Sequence, residues 1–179
     1  MKFSRKLTLF SLAFLPFALW AGEQPVSTKV SVEWQSPEDY TDVRPANESR
    51  KRFMDNTFHQ FEQHFVKLAE RLPENATWKI TVTDVDLAGQ VWPASFVGLG
   101  QGGQDVRLIK DIDIPRMSFS YELASEGELL QKGEVELKDM GFLQRSIRGA
   151  SSTALRYEKR MLDEWFADEF GQYIATAKN

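Results

Sequence analysis

The apolar residues of this chain change their spacing at Pro73, and that change limits the folds open to it. Between Ser49 and Leu72 the bulky residues Phe53, Phe58, Phe61, Phe65, Leu68 and Leu72 recur every three to five positions, which draws one apolar stripe along a helix of about six turns. Pro73 ends it, because proline has no amide hydrogen and its ring clashes with the preceding turn. Directly afterwards Trp78, Ile80 and Val82 alternate with Lys79, Thr81 and Thr83, the period of a strand with one buried face. That strand runs into Asp84-Val85-Asp86-Leu87 and leaves at Gly89. A chain that is helical before the proline and extended after it calls for a helix laid on a sheet.

The other segments fit the same plan. Val26, Val30, Val32 and Trp34, with Thr28 between them, fall on every second position ahead of the helix and predict a half-buried strand. A polar connector from Gln35 to Pro45 separates the two. Val91 to Gln104 is a glycine-rich loop, and Val106, Leu108, Ile112 and Ile114 then resume period-two spacing as an edge strand closed by Pro115. Met117, Phe119, Tyr121 and Leu123 alternate cleanly, and a turn at Ser125-Glu126-Gly127-Glu128 returns the chain along Leu129 to Asp139, which predicts a hairpin. After a connection containing Arg145 and Arg148, Ser152 or Thr153 is placed to cap a last helix whose stripe is Leu155, Leu162, Trp165, Phe166, Phe170 and Tyr173. The expected fold is α+β: an antiparallel sheet of about four to five strands with two long amphipathic helices on one face, in the order β-α-β-β-β-β-α.

Lys2, Arg5 and Lys6 precede an uncharged run from Leu7 to Trp20, and Ala21 offers a small residue for cleavage, which is the order of a secretory signal peptide. The run would rise only about 21 Å as a helix, short of a bilayer core of about 30 Å. Residues 1–21 are therefore expected to be a cleaved signal and residues 22–179 a single periplasmic domain with no membrane span. Leu19 sits where cleavage favours a smaller side chain, so an uncleaved anchor is the alternative. The chain has no cysteine, so neither a lipid-modified cysteine nor a disulfide is expected, and the core must hold the fold unaided. Without the three positive charges of the signal, the 22 basic residues become 19 against 26 acidic ones, a formal charge of −7. An acidic domain without a concentrated basic face argues against nucleic acid as a partner.

Three stretches carry a family likeness: "YTDVRP" in the polar connector, "TVTDVDLAG" on the strand after Pro73, and "DMGFL" followed by "LRYEKRMLDEWF" at the last helix. Together they resemble the bacterial exported family known as domain of unknown function 3016, over nearly the whole of the mature chain. The resemblance implies a bacterial, periplasmic setting; it assigns no activity, cofactor or catalytic residue. The glycine-rich loop matches no pattern of that family.

Chemistry-bearing residues are few. Gly98, Gly100 and Gly103 have the spacing of a dinucleotide loop, but a loop precedes them and a strand pattern follows, whereas pyrophosphate binding needs a strand before and a helix after. No cofactor is expected. The loop's apolar residues Trp92, Phe96, Val97 and Leu99 either tuck over the core or wait for a partner. Asp84 and Asp86 open like a calcium loop, yet Ala88 and Ser95 supply no carboxylate at the fifth and twelfth positions, which removes that reading. Asp84 continues the inward series of Trp78, Ile80 and Val82 and is expected to pair with Arg156 or Lys159; a metal or ligand site and acid–base catalysis are the alternatives for this aspartate pair. His59 and His64 lie five residues apart, on different helix faces, and no metal is expected between them. Arg50-Lys51-Arg52 and Arg156, Lys159 and Arg160 open the two helices, where the dipole disfavours positive charge; either nearby acids pair them, with Asp163, Glu164, Asp168 and Glu169 serving if the helices run antiparallel, or an anionic partner does. Asn47-Glu48-Ser49 and Asn75-Ala76-Thr77 match glycosylation acceptors and are discounted in a bacterial chain.

The function expected from these residues is a non-enzymatic envelope module that binds a protein or a glycan through the loop Val91 to Gln104, with Trp92, Phe96 and Leu99, or through the basic helix starts, with Asp84, Asp86 and Arg156 as further candidates for the surface. The alternative is a metal-assisted or glycoside hydrolase built on Asp84, Asp86 and Asp105.

Overall fold

The computed structural model of the protein describes residues 29–100, 102–144 and 155–176, without the side chains of 175 and 176. The expected signal at residues 1–21, Val26 and Thr28 of the first strand, and Arg145, Arg148, Ser152 and Thr153 lie outside the described residues. The elements are β1 (Val30–Trp34), α1 (Arg50–Ala69), β2 (Ala76–Asp86), β3 (Gln90–Trp92), β4 (Val106–Leu108), β5 (Arg116–Ser125), β6 (Glu128–Lys138) and α2 (Arg156–Thr176). The fold is α+β, with β1, β2, β5 and β6 side by side in one sheet and β3 and β4 in a separate two-stranded ribbon.

α1 begins where Ser49 stays extended and its hydroxyl accepts from the Arg52 amide at 3.5 Å. Because α1 returns the chain to the side from which β1 started, β1 and β2 run parallel, and the main sheet is mixed rather than wholly antiparallel. The hairpin of β5 and β6 forms as expected: Glu126 and Gly127 take φ of 54° and 85°, the left-handed pair that a two-residue hairpin turn demands. The strand expected from Val106 to Ile114 shortens to β4, since the Asp113 amide donates to the Lys110 carbonyl at 3.2 Å and turns the chain out of extended geometry.

One face of the sheet makes the core. Trp78, Ile80 and Val82 of β2 and Met117, Phe119, Tyr121 and Leu123 of β5 are buried together with Phe61, Phe65 and Leu68 of α1 and Leu162, Phe166 and Phe170 of α2. Trp78 receives rings from both helices, Phe65 at 5.6 Å and Phe166 and Phe170 at 5.3 and 5.4 Å, so both helices cover the same face. Gln60 meets Lys159, His64 meets Lys159 and Asp163, and Arg71 meets Phe166. These contacts advance together along both chains, so the helices run in the same direction. The acids late in α2 therefore do not reach the start of α1, and the antiparallel condition is not met.

Candidate functional site

The site starts from a β-bulge. Val82 pairs with Phe119 and Asp84 with Ser118, which leaves Thr83 as an extra residue on β2. The bulge reverses the phase of the strand: Val85 and Leu87 take the buried positions, and Asp84 and Asp86 turn away from the core. The expected inward Asp84 is thereby corrected. Its partner is neither Arg156 nor Lys159, because its carboxylate accepts the Thr41 amide at 2.7 Å and the Thr41 hydroxyl at 2.8 Å.

These bonds seat the connector "YTDVRP" along the end of β2. Asp42 forms a parallel bridge with Asp86, the Asp42 amide donates to the Val85 carbonyl at 3.1 Å, and the Leu87 amide donates back to Asp42 at 3.2 Å. Tyr40 is buried and its hydroxyl donates to the Val82 carbonyl at 2.8 Å; burial holds its phenol protonated well above the usual range. Two stretches quoted for the family likeness are thus hydrogen-bonded neighbours.

Arg107 of β4 locks this arrangement. Its guanidinium donates to the Asp42 carboxylate at 2.8 Å, to the Gly89 carbonyl at 2.9 Å and to the Arg44 carbonyl at 2.8 Å. Gly89 has to be glycine: φ is 79°, and a Cβ there would stand 2.3 Å from the Leu108 carbonyl oxygen. From the other side the buried Glu158 of α2 accepts the Ala88 amide at 2.8 Å, and burial pushes its carboxyl up from the ordinary range. The turn after β2 is therefore held by side chains from the ribbon and from α2.

Between this turn, the ribbon and the start of β5 lies an open cleft of about 710 Å³, lined by Thr41, Asp42, Arg44, Asp86 and Gly89 to Pro93, and by Phe96, Ile112, Asp113, Ile114 and Arg116. Asp86 stands 3.7 Å from Arg116. Burial pushes its carboxyl up to about 6, against the pull of Arg116, and the neighbouring charges of Asp42 and Asp84 add to the rise. Trp92 is half-buried with the Lys110 ammonium 3.8 Å from its ring centre. Among the described residues, the Trp92 indole nitrogen and Oδ2 of Asp113 are buried without a hydrogen-bond partner. The rim is apolar and open: Phe96 is 77% exposed and Ile112 75%.

The structure brings together Trp92, Phe96 and Asp86 of the sequence-predicted residues. Leu99 lies on the same loop, 56% exposed, but does not line the cleft. Arg156 stands apart, its guanidinium over the Tyr157 ring at 4.9 Å on the wall of a second cavity of about 700 Å³. Asp105 is drawn away from the cleft, accepting the Ala94 amide at 3.3 Å. The basic helix starts are engaged internally: Lys51 with Asp55 at 2.7 Å, Arg50 with the Glu38 carbonyl at 2.6 Å, and Arg160 with the buried Asp139 at 2.8 Å. His59 bonds Gln63 on its own helix while His64 faces Asp163, so the two do not converge. Among the described residues no group of three or more histidines or carboxylates is placed to hold a metal ion, and no helix is long and apolar enough to cross a membrane.

Sequence reasoning missed Asp42, Arg107, Asp113, Arg116 and Ile112. Asp42 stood within "YTDVRP", and Arg107 was the one charge between Val106 and Leu108; an arginine so flanked on a short edge strand is the signal that a carboxylate waits elsewhere. No curated protein and no solved structure matches the chain. A family model described as protein of unknown function (DUF3016) matches residues 28–168, and the chain belongs to that family.

Proposed function

We propose that this protein is an exported, periplasmic, non-enzymatic binding module that captures an envelope component in the cleft between the end of β2 and the β3–β4 ribbon. The observation that carries the reading is the exposure of Phe96 and Ile112 on the rim of a cleft whose floor is polar. Large apolar side chains left in water beside a concave, charge-lined surface mark a contact surface rather than a core. The order of charges and apolar residues in 1–21 supports export. The hydrolase alternative draws less support, because Thr41 holds Asp84 and the Ala94 amide holds Asp105, so of those aspartates only Asp86 lines the cleft.

The test is copurification of the tagged full chain from the periplasm, with mass spectrometry of what it retains. Wild type is expected in the periplasmic fraction with a defined retained component that Phe96→Ala/Ile112→Ala loses. Recovery in the cytoplasm, or equal retention by the variant, contradicts the proposal.

A further inference from the structure

We infer that β6 is a docking edge for a second copy of this chain, pairing antiparallel with the copy's β6 about a two-fold axis at Gly133. β6 closes one side of the main sheet, in the order β1-β2-β5-β6, and among the described residues no strand pairs with its outer side. It is 11 residues long, contains no proline, and is interrupted only near one end, where Gln131 pairs with Leu123 and Leu129 with Ala124, so that Leu130 is extra. An edge of that length leaves alternate amide and carbonyl groups pointing outward, the template on which another strand adds. Beside the bulge Leu129 and Leu130 are 51% and 37% exposed, apolar surface that the protomer leaves in water.

The charges of β6 select the partner. Lys132, Glu134, Glu136 and Lys138 are exposed, while Gln131, Gly133, Val135 and Leu137 are half-buried opposite the core residues of β5. A two-fold axis perpendicular to the sheet keeps outer residues opposite outer ones. Centred on Gly133, it sets Lys132 of each copy against Glu134 of the other, two pairs of opposite charge, and Gln131 against Val135 on the inner face. A centre at Lys132, Glu134 or Glu136 would set that charge against itself, and a centre at Val135 would set Glu134 against Glu136 and Lys132 against Lys138. Gly133 is thus the one centre between Lys132 and Glu136 that opposes no like charges. It is also the midpoint of the strand, so the two copies overlap from end to end, with Leu129 and Leu130 of each beside the Glu136–Lys138 end of the other. Charges that deter an unrelated strand from this edge therefore suit its own copy. Joined in this way, two four-stranded sheets continue as one.

Analytical ultracentrifugation of the purified protein from about 1 µM to about 1 mM reads the association. Wild type is expected to pass from protomer mass to twice that mass as concentration rises. Lys132→Glu and Glu134→Lys each set like charges opposite one another at both contacts, and each is expected to weaken the dimer about tenfold or more. An equimolar mixture of the two variants restores opposite charges at both contacts and is expected to dimerise again, a recovery that a mere loss of folding would not give. Within its own protomer Glu134→Lys faces only Ser120, so its fold is expected to hold by circular dichroism; its association alone decides if Lys132→Glu, which faces Glu122, does not fold. The inference is overturned if wild type stays at protomer mass throughout, if Glu134→Lys dimerises as wild type does, or if two folded variants fail to dimerise when mixed.

Discussion

Asp84 and Asp86 lie two positions apart on β2 and meet different fates. Asp84 is satisfied twice by Thr41 and serves to anchor the connector. Asp86 is half-buried, with Arg116 at a loose 3.7 Å, and burial pushes its carboxyl up to about 6. The folded protein therefore keeps a proton on Asp86 that the unfolded chain has released between about pH 4 and pH 6, so stability falls as pH rises through that window and levels off above it. Asp86→Asn removes the penalty. Urea denaturation is expected to show the variant more stable than wild type by on the order of 1–2 kcal/mol at about pH 7, with the difference vanishing near about pH 4. Glu158, also pushed up by burial, acts in the same direction in both proteins and cancels in the comparison. A less stable variant at neutral pH would mean that Arg116 outweighs burial. At this scale the sequence was only partly legible: the aspartates were visible, but their orientation depended on a bulge that the apolar series up to Val82 does not announce.

Among the elements, those set by local spacing were legible and those set by distant partners were not. α1, α2 and the β5–β6 hairpin follow from periodicity and turn chemistry within a few residues. The parallel pairing of β1, the bulge in β2 and the early end of β4 come from contacts between separated segments. Arg107 reaches Asp42 across 65 residues, and Glu158 reaches Ala88 across 70; no pattern along the chain records such meetings. Arg107 ties the ribbon to the connector and to the turn after β2 in several bonds at once. Arg107→Ala leaves the Asp42 carboxylate half-buried without this partner and is expected to cost about 2–4 kcal/mol. Hydrogen exchange should show protection lost first in Gln90–Trp92 and Val106–Leu108 while the β2–β5 pairing keeps its protection. Uniform loss across both sheets would show that the ribbon does not depend on this residue in particular.

For the whole molecule, the two helices and the inner sheet face form one aromatic core centred on Trp78. The loops at the end of the sheet where β2 leaves and β5 begins carry the residues that the core does not use. That division fits a scaffold of the core and a recognition surface of the loops. It also explains why the site was legible only in part: Phe96 is conspicuous in a polar, glycine-rich stretch, whereas Ile112 reads as part of an edge strand, and Asp42, Asp86, Asp113 and Arg116 converge only once the connector, the bulge and the ribbon are in place. The central claim is that this cleft meets the protein's ligand in the envelope, and site-specific photo-crosslinking tests it most directly. With a benzophenone side chain placed at position 96, or at the exposed position 79 as a control on β2 away from the core face, irradiation of living cells is expected to give a discrete adduct at 96 and none at 79. No adduct at 96, or the same adducts at both positions, would contradict the claim.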